Sequence, residues 1–156
     1  MSQSEQAASP KSPGVQRHEG SCHCGAARYE VRLDLGEGVS RCNCSICLKL
    51  GSTGVNVKPA AFRLLAGAEA LGAYRVGRST AARYFCKHCG VFLYGDGDIP
   101  ELGGAFVSVN VNTLDGIEHA DLQVGYWDGR HDNWAAGLRP TPWPVRPEAG
   151  RQGAVA

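Results

Sequence analysis

The chain has 156 residues, of which 43% are hydrophobic, enough for one ordinary core and hence one domain. Its 16 basic and 15 acidic side chains leave a formal charge of +1 with no long run of one sign, which excludes the field expected of a nucleic-acid or membrane-surface binder. No apolar run approaches the roughly 20 residues that span a bilayer, and Met1 to Gly14 lacks the apolar core of a secretory signal. These observations predict a cytoplasmic chain with neither nucleic acid nor membrane as partner, and a small near-neutral domain leaves homodimerisation open.

Residues 1–17 are rich in Ser, Gln, Ala and Pro and have too few large apolar side chains to offset the entropy of ordering, so they read as a flexible tail. A second flexible tail is expected at 146–156, leaving a folded unit over 18–145. Within that unit Ala27, Tyr29, Val31, Leu33 and Leu35 alternate with Arg28, Glu30, Arg32 and Asp34, the period of a half-buried strand. Further strand-like runs follow at Val55 to Lys58, Ala73 to Val76, Arg83 to Phe85, Val91 to Tyr94 and Phe106 to Val111, separated by Gly, Pro and Asp-Gly turns. Pro59 to Ala70 is the one stretch expected to hold a short turn of helix. The domain is therefore predicted to be mainly β.

All 7 cysteines fall into three groups: Cys22-His23-Cys24, Cys42-Asn43-Cys44-Ser45-Ile46-Cys47 and Cys86-Lys87-His88-Cys89-Gly90. An odd number in a chain read as intracellular argues against a disulfide framework and for metal ligation. In a C-x-C segment that is extended, the two sulfurs project to one side, and a C-x-x-C turn brings two sulfurs to one ion. Seven thiolates divide into a closed four-sulfur tetrahedron and a three-sulfur site with a fourth position left for water or substrate. Cys22, Cys24, Cys86 and Cys89, paired across distant segments, suit the first; the local triplet Cys42, Cys44 and Cys47 suits the second. Spacing alone leaves other readings open: two purely structural zinc ions, or an iron–sulfur cluster. A thioredoxin-type redox motif is disfavoured because no βαβ pattern surrounds either C-x-x-C.

Gly20-Ser21-Cys22-His23-Cys24-Gly25-Ala26, Cys42-Asn43-Cys44-Ser45-Ile46-Cys47 and Tyr84-Phe85-Cys86-Lys87-His88-Cys89-Gly90, taken in order, resemble the glutathione-dependent formaldehyde-activating enzyme family, also called the CENP-V/GFA domain. The resemblance covers about residues 20–145. It implies a β-tent fold of packed antiparallel sheets stapled by zinc, with two Zn2+ per chain. Matched group by group, it assigns Cys22, Cys24, Cys86 and Cys89 to a structural ion and Cys42, Cys44 and Cys47 to a catalytic one. The activity it implies is that of a carbon–sulfur lyase interconverting S-(hydroxymethyl)glutathione with formaldehyde and glutathione. The stretches Tyr126 to Trp134 and Arg139 to Pro144 depart from the best-known glutathione-acting members, so the thiol itself is left open. The partner expected is a small thiol or thiol–aldehyde adduct, and the rival reading is a zinc-stabilised binding or scaffold module without catalysis.

Such chemistry moves a proton on or off an adduct hydroxyl, for which His23, His88, His119 and His131 are the nominal carriers. His23 and His88 flank structural ligands, whereas His131 lies beside Asp132 and between Trp127 and Trp134, where its ordinary role is that of a polar loop residue. Arg41, Lys49, Arg83 and Lys87 lie within or beside the metal segments, where they could receive a substrate carboxylate; solvated surface charge is the alternative for each, evenly balanced at Arg41 and Lys49 and the preferred reading at Lys87. Trp127, Trp134 and Trp143 are expected at the core or its edge, with a pocket wall as the alternative.

Overall fold

The computed structural model describes residues 14–146, so most of both expected tails lies outside the described residues. Along the chain come β1 (Gln16–Ser21), β2 (Arg28–Leu33), β3 (Val39–Cys42), α1 (Ser45–Leu50), β4 (Gly54–Val57), β5 (Phe62–Ala66), β6 (Leu71–Arg75), β7 (Ala82–Cys86), β8 (Phe92–Ile99), β9 (Gly104–Asn110) and β10 (Val124–Trp127). They form a three-stranded sheet in the order β1-β2-β5 and a seven-stranded sheet in the order β10-β3-β4-β9-β8-β7-β6. Pairing is antiparallel throughout except at one edge, where β10 runs parallel to β3. The fold is mainly β, as the alternation and turn pattern predict.

Strand β2 matches its alternation: Tyr29, Val31 and Leu33 are buried, while the residues between them are exposed or half-buried. The strand stops before Leu35 because the Asp34 carboxylate accepts a hydrogen bond from Gly36 N at 2.8 Å and turns the chain. Strand β1 starts at Gln16, ahead of the expected start of the folded unit, in register with β2 and tied to it where Arg17 meets Glu30 at 2.7 Å. The short turn of helix expected within Pro59 to Ala70 is present at both of its ends, whereas α1 at Ser45–Leu50 was not expected. Short 3-10 turns occupy Pro59–Ala61 and Ala68–Ala70, but the middle is β5, which pairs with β2. Its Phe62 ring stacks on Tyr29 with centroids 5.2 Å apart, so tertiary packing overrides a weak local preference.

The core draws on both sheets. Tyr29 and Val31 of β2, Leu93 of β8 and Val109 of β9 are all 0% exposed and belong to one apolar cluster. Among the described residues no helix is long and apolar enough to cross a membrane.

Candidate metal and substrate site

The fold gathers the seven cysteines into two clusters, each with its sulfurs within 4.8 Å of one another: Cys22, Cys24, Cys86 and Cys89, and separately Cys42, Cys44 and Cys47. The first cluster comes from two turns. One connects β1 to β2, where Cys22 N donates to Ala27 O at 3.1 Å and Ala27 N donates to the Cys22 sulfur at 3.3 Å. The other connects β7 to β8, where Gly90 N donates to Cys86 O at 2.7 Å. Cys24 lies 3.7 Å from both Cys22 and Cys86, sulfur to sulfur. Backbone N–H groups of Cys24 and Val91 lower the Cys89 thiol to about 6, whereas at Cys24 the Ala26 N–H is outweighed by burial and by the neighbouring thiols, which push it up to about 11, so the four sulfurs do not ionise independently. His23, His88 and Lys87 are exposed on these turns.

The second cluster is built at the end of β3 and the start of α1. Cys42 is the last residue of the strand, Cys44 caps the helix, and Cys47 lies in its first turn. The helix ends at Gly51, whose left-handed φ of 61° allows its N–H to reach back to the carbonyls of Cys47 and Leu48. Cys44 N donates to the Cys42 sulfur at 3.4 Å. Hydrogen bonds from the Cys42 and Cys47 side chains pull the Cys44 thiol far down, and the same contacts push Cys47 up. Three sulfurs this close cannot all be anionic without a cation between them, which is the electrostatic condition of a metal site.

A parallel strand pair supplies the surroundings. Because β10 pairs with β3 in register, Trp127 lies opposite Cys42, and the two chains leave the sheet edge side by side. Asn43 N then donates to Trp127 O at 3.3 Å, and Asn43 Nδ2 donates to Asp128 Oδ1 at 2.8 Å. Asp128 is buried and also accepts from Asn133 Nδ2 at 3.3 Å and meets His131 Nδ1 at 2.7 Å, while Arg130 N donates to Asn43 Oδ1 at 2.9 Å. Burial alone would raise the Asp128 carboxyl, but the bonds from Asn43, His131 and Asn133 outweigh it and hold the group below the usual range. The loop after β10 closes tightly over the cluster. A Cβ at Gly129 would lie 2.5 Å from the Cys42 sulfur and 2.8 Å from the Trp134 ring, so only glycine fits there.

Beside the triplet is a cavity of about 360 Å³ walled by Arg41, Cys42, Asn43, Cys47, Trp127 and Trp143, among others. Of the four expected cations only Arg41 reaches this wall, with Nε donating to Thr53 Oγ1 at 2.9 Å. Trp127 and Trp143 are half-buried wall residues outside the buried core, and Trp134 packs on Trp127 at 6.0 Å while staying 51% exposed. His131 is bound to Asp128 but does not line the cavity, and His119 lies exposed in the 3-10 turn His119–Asp121. Asn43 and Asp128 were not legible as site residues, since 85 positions separate them and only the parallel pairing joins them.

Comparison with known proteins agrees with the cysteine pattern. A Halomonas elongata protein named for glutathione-dependent formaldehyde activation is 37% identical over 99 residues, which cover 58% of this chain and 63% of that protein. The crystal structure of a Rhodobacter sphaeroides protein superposes with a TM-score of 0.58 at 33% identity, covering 66% of this chain and 93% of the other. The sequence profile of the glutathione-dependent formaldehyde-activating enzymes matches residues 17–129, well over half of the chain and all seven cysteines. The chain belongs to the glutathione-dependent formaldehyde-activating enzyme family.

Proposed function

We propose that this protein is a zinc-dependent carbon–sulfur lyase acting on a thiol–aldehyde adduct of the S-(hydroxymethyl)glutathione type. In this reading Cys22, Cys24, Cys86 and Cys89 hold a structural zinc, and Cys42, Cys44 and Cys47 hold the catalytic one. The carrying observation is that the triplet has three sulfurs and opens, through Cys42 and Cys47, on a cavity, whereas the other cluster has a full set of four. The donor set fits zinc: tetrahedral Zn–S bonds of about 2.3 Å place sulfurs about 3.8 Å apart, against 3.7 Å for Cys22 to Cys24 and for Cys24 to Cys86.

Held by Cys42, Cys44 and Cys47, zinc would favour the thiolate form of a bound thiol near neutral pH. The protein's residues do the rest. Breakdown of the adduct breaks the carbon–sulfur bond, leaves its electron pair on sulfur, and forms the aldehyde carbonyl as the hydroxyl loses its proton. Arg41 faces the cavity as a carboxylate receptor, and the Trp127 and Trp143 rings exclude water from one side. The wall contains neither histidine nor carboxylate among the described residues. The hydroxyl proton passes to solvent or to the departing sulfur, directly or through the Ser52 or Tyr126 hydroxyl of the wall, and the Asp128–His131 pair positions the loop that covers Cys42.

The test is aldehyde release from S-(hydroxymethyl)glutathione and from adducts of smaller thiols, measured as excess over the uncatalysed rate. Purified protein is expected to carry two zinc equivalents and to give an excess rate that Cys44→Ser abolishes while the fold persists. Two chelator-resistant zinc ions with no excess rate on any adduct would leave a zinc-stabilised binding module instead.

A further inference from the structure

Resting on the lyase reading, we infer that the cavity selects thiols with an apolar or aromatic body and a single carboxylate over glutathione, and that Trp143 sets this preference. The cavity's roughly 360 Å³ lies near the lower bound of small-molecule sites. Arg41 is the only charged side chain in its wall among the described residues. Arg41 is itself exposed, but its Nε is held by the hydroxyl of Thr53, which is only 2% exposed, and its terminal nitrogens are left to receive a carboxylate.

Glutathione brings two carboxylates and an ammonium. Once Arg41 has one carboxylate, the second meets no further cation in a wall whose other members include Leu48, Trp127, Pro142 and Trp143 beside the neutral polar Ser52 and Tyr126. Contact with this wall favours an apolar or aromatic body, which gains from burial there, over a second carboxylate, which sheds water without gaining a cation.

Trp143 is placed for this role by contacts of its own. Its Nε1 donates to Tyr126 O at 2.8 Å, and the Arg139 guanidinium lies 4.0 Å above its ring. Arg139 in turn exchanges backbone hydrogen bonds with Tyr126 at 2.8 and 3.2 Å, folding the segment back onto β10. Pro142, Trp143 and Val145 line the cavity yet lie beyond residue 129, where the match to the family ends. This wall is therefore one on which the family's shared region is silent.

Isothermal titration of the zinc-loaded protein with 4-(mercaptomethyl)benzoate, benzyl mercaptan and glutathione tests the inference without relying on turnover. The aromatic carboxylate thiol is expected to bind about tenfold or more tighter than glutathione, the scale of one charge-assisted contact with apolar burial. Trp143→Ala should narrow that ratio to about threefold or less. Arg41→Gln should weaken the carboxylate thiol about tenfold and benzyl mercaptan less than about twofold. Glutathione binding as tightly as the aromatic thiol, or Trp143→Ala leaving the ratio unchanged, overturns the inference. If thermal melting shows that Trp143→Ala does not fold, Trp143→Leu takes its place and the Arg41→Gln arm stands unaffected. Lyase activity with glutathione preferred defeats only the selectivity. Selective binding without excess aldehyde release defeats only the lyase reading.

Discussion

Asp128 shows how one buried side chain organises the candidate site. Its carboxylate gathers Asn43, which separates two of the triplet cysteines, together with His131 and Asn133 from the covering loop. Because these bonds hold its carboxyl below the ordinary value, the ionised form stabilises the fold above the unfolded carboxyl range, about pH 4. That stability is lost as pH falls through the lower folded value. Asp128→Asn should therefore destabilise by about 1–3 kcal/mol at pH 7, since an amide turns a donor toward donors that the carboxylate accepted from. Thermal melts of both proteins at pH 7 and at pH 3 should show the gap narrowing on acidification. Thiolate protonation at low pH acts on both alike, so the difference isolates this carboxylate. An unchanged gap would mean that its charge is not what the network uses.

At the scale of elements, the two cysteine clusters ask different things of the chain. Cys86 is fully buried at the end of β7, and its cluster joins the β7–β8 turn of the large sheet to the β1–β2 turn of the small one. Cys44 belongs to a cluster whose sulfurs all come from one strand end and one helix turn. Removing a staple between sheets exposes the folded state to far more unfolding than removing a local ligand. Cys86→Ser should lower the melting temperature by about 10 °C or abolish cooperative unfolding, and Cys44→Ser by less than about 5 °C. Equal losses would make the triplet structural as well. Both clusters were legible because cysteine spacing is local, written into C-x-C and C-x-x-C segments. Strand β8 was only half legible: its Gly95-Asp96-Gly97-Asp98 reads as a turn. In the fold Asp96 accepts from Ala82 N at 3.1 Å and from the Tyr84 hydroxyl at 2.9 Å, so neighbouring β7 holds it extended. Strand β10 gave no alternation because all four of its residues are half-buried at a parallel edge.

Across the whole molecule the clusters sit toward opposite sides of the seven-stranded sheet, the triplet at β3 and the quartet at β7, with β4, β9 and β8 between. What joins the sheets away from the cysteine sulfurs is the packing around Tyr29. Its ring is fully buried, stacks on Phe62, and meets Tyr94 of the large sheet with centroids 6.3 Å apart. Thr113 Oγ1 donates to Asn110 O at 2.7 Å, so across the 2.7 Å contact between Tyr29 and Thr113 the phenol is the donor. Burial makes ionisation of that phenol harder still, which keeps the proton in the bond. Tyr29→Phe keeps the ring and removes the hydroxyl, at an expected cost of about 1–2 kcal/mol, because Thr113 can still donate to Asn110. Tyr29→Ala also opens a cavity between the sheets and should cost about 3–5 kcal/mol. Urea unfolding distinguishes the two, with the midpoint falling in that order at constant slope. Zinc content should stay at the wild-type value in Tyr29→Phe, since the substitution removes no sulfur and keeps the ring that shares one buried cluster with Cys22 and Cys86. A Tyr29→Phe midpoint equal to wild type would show that the hydroxyl contributes nothing to the junction and that ring packing alone holds the sheets together.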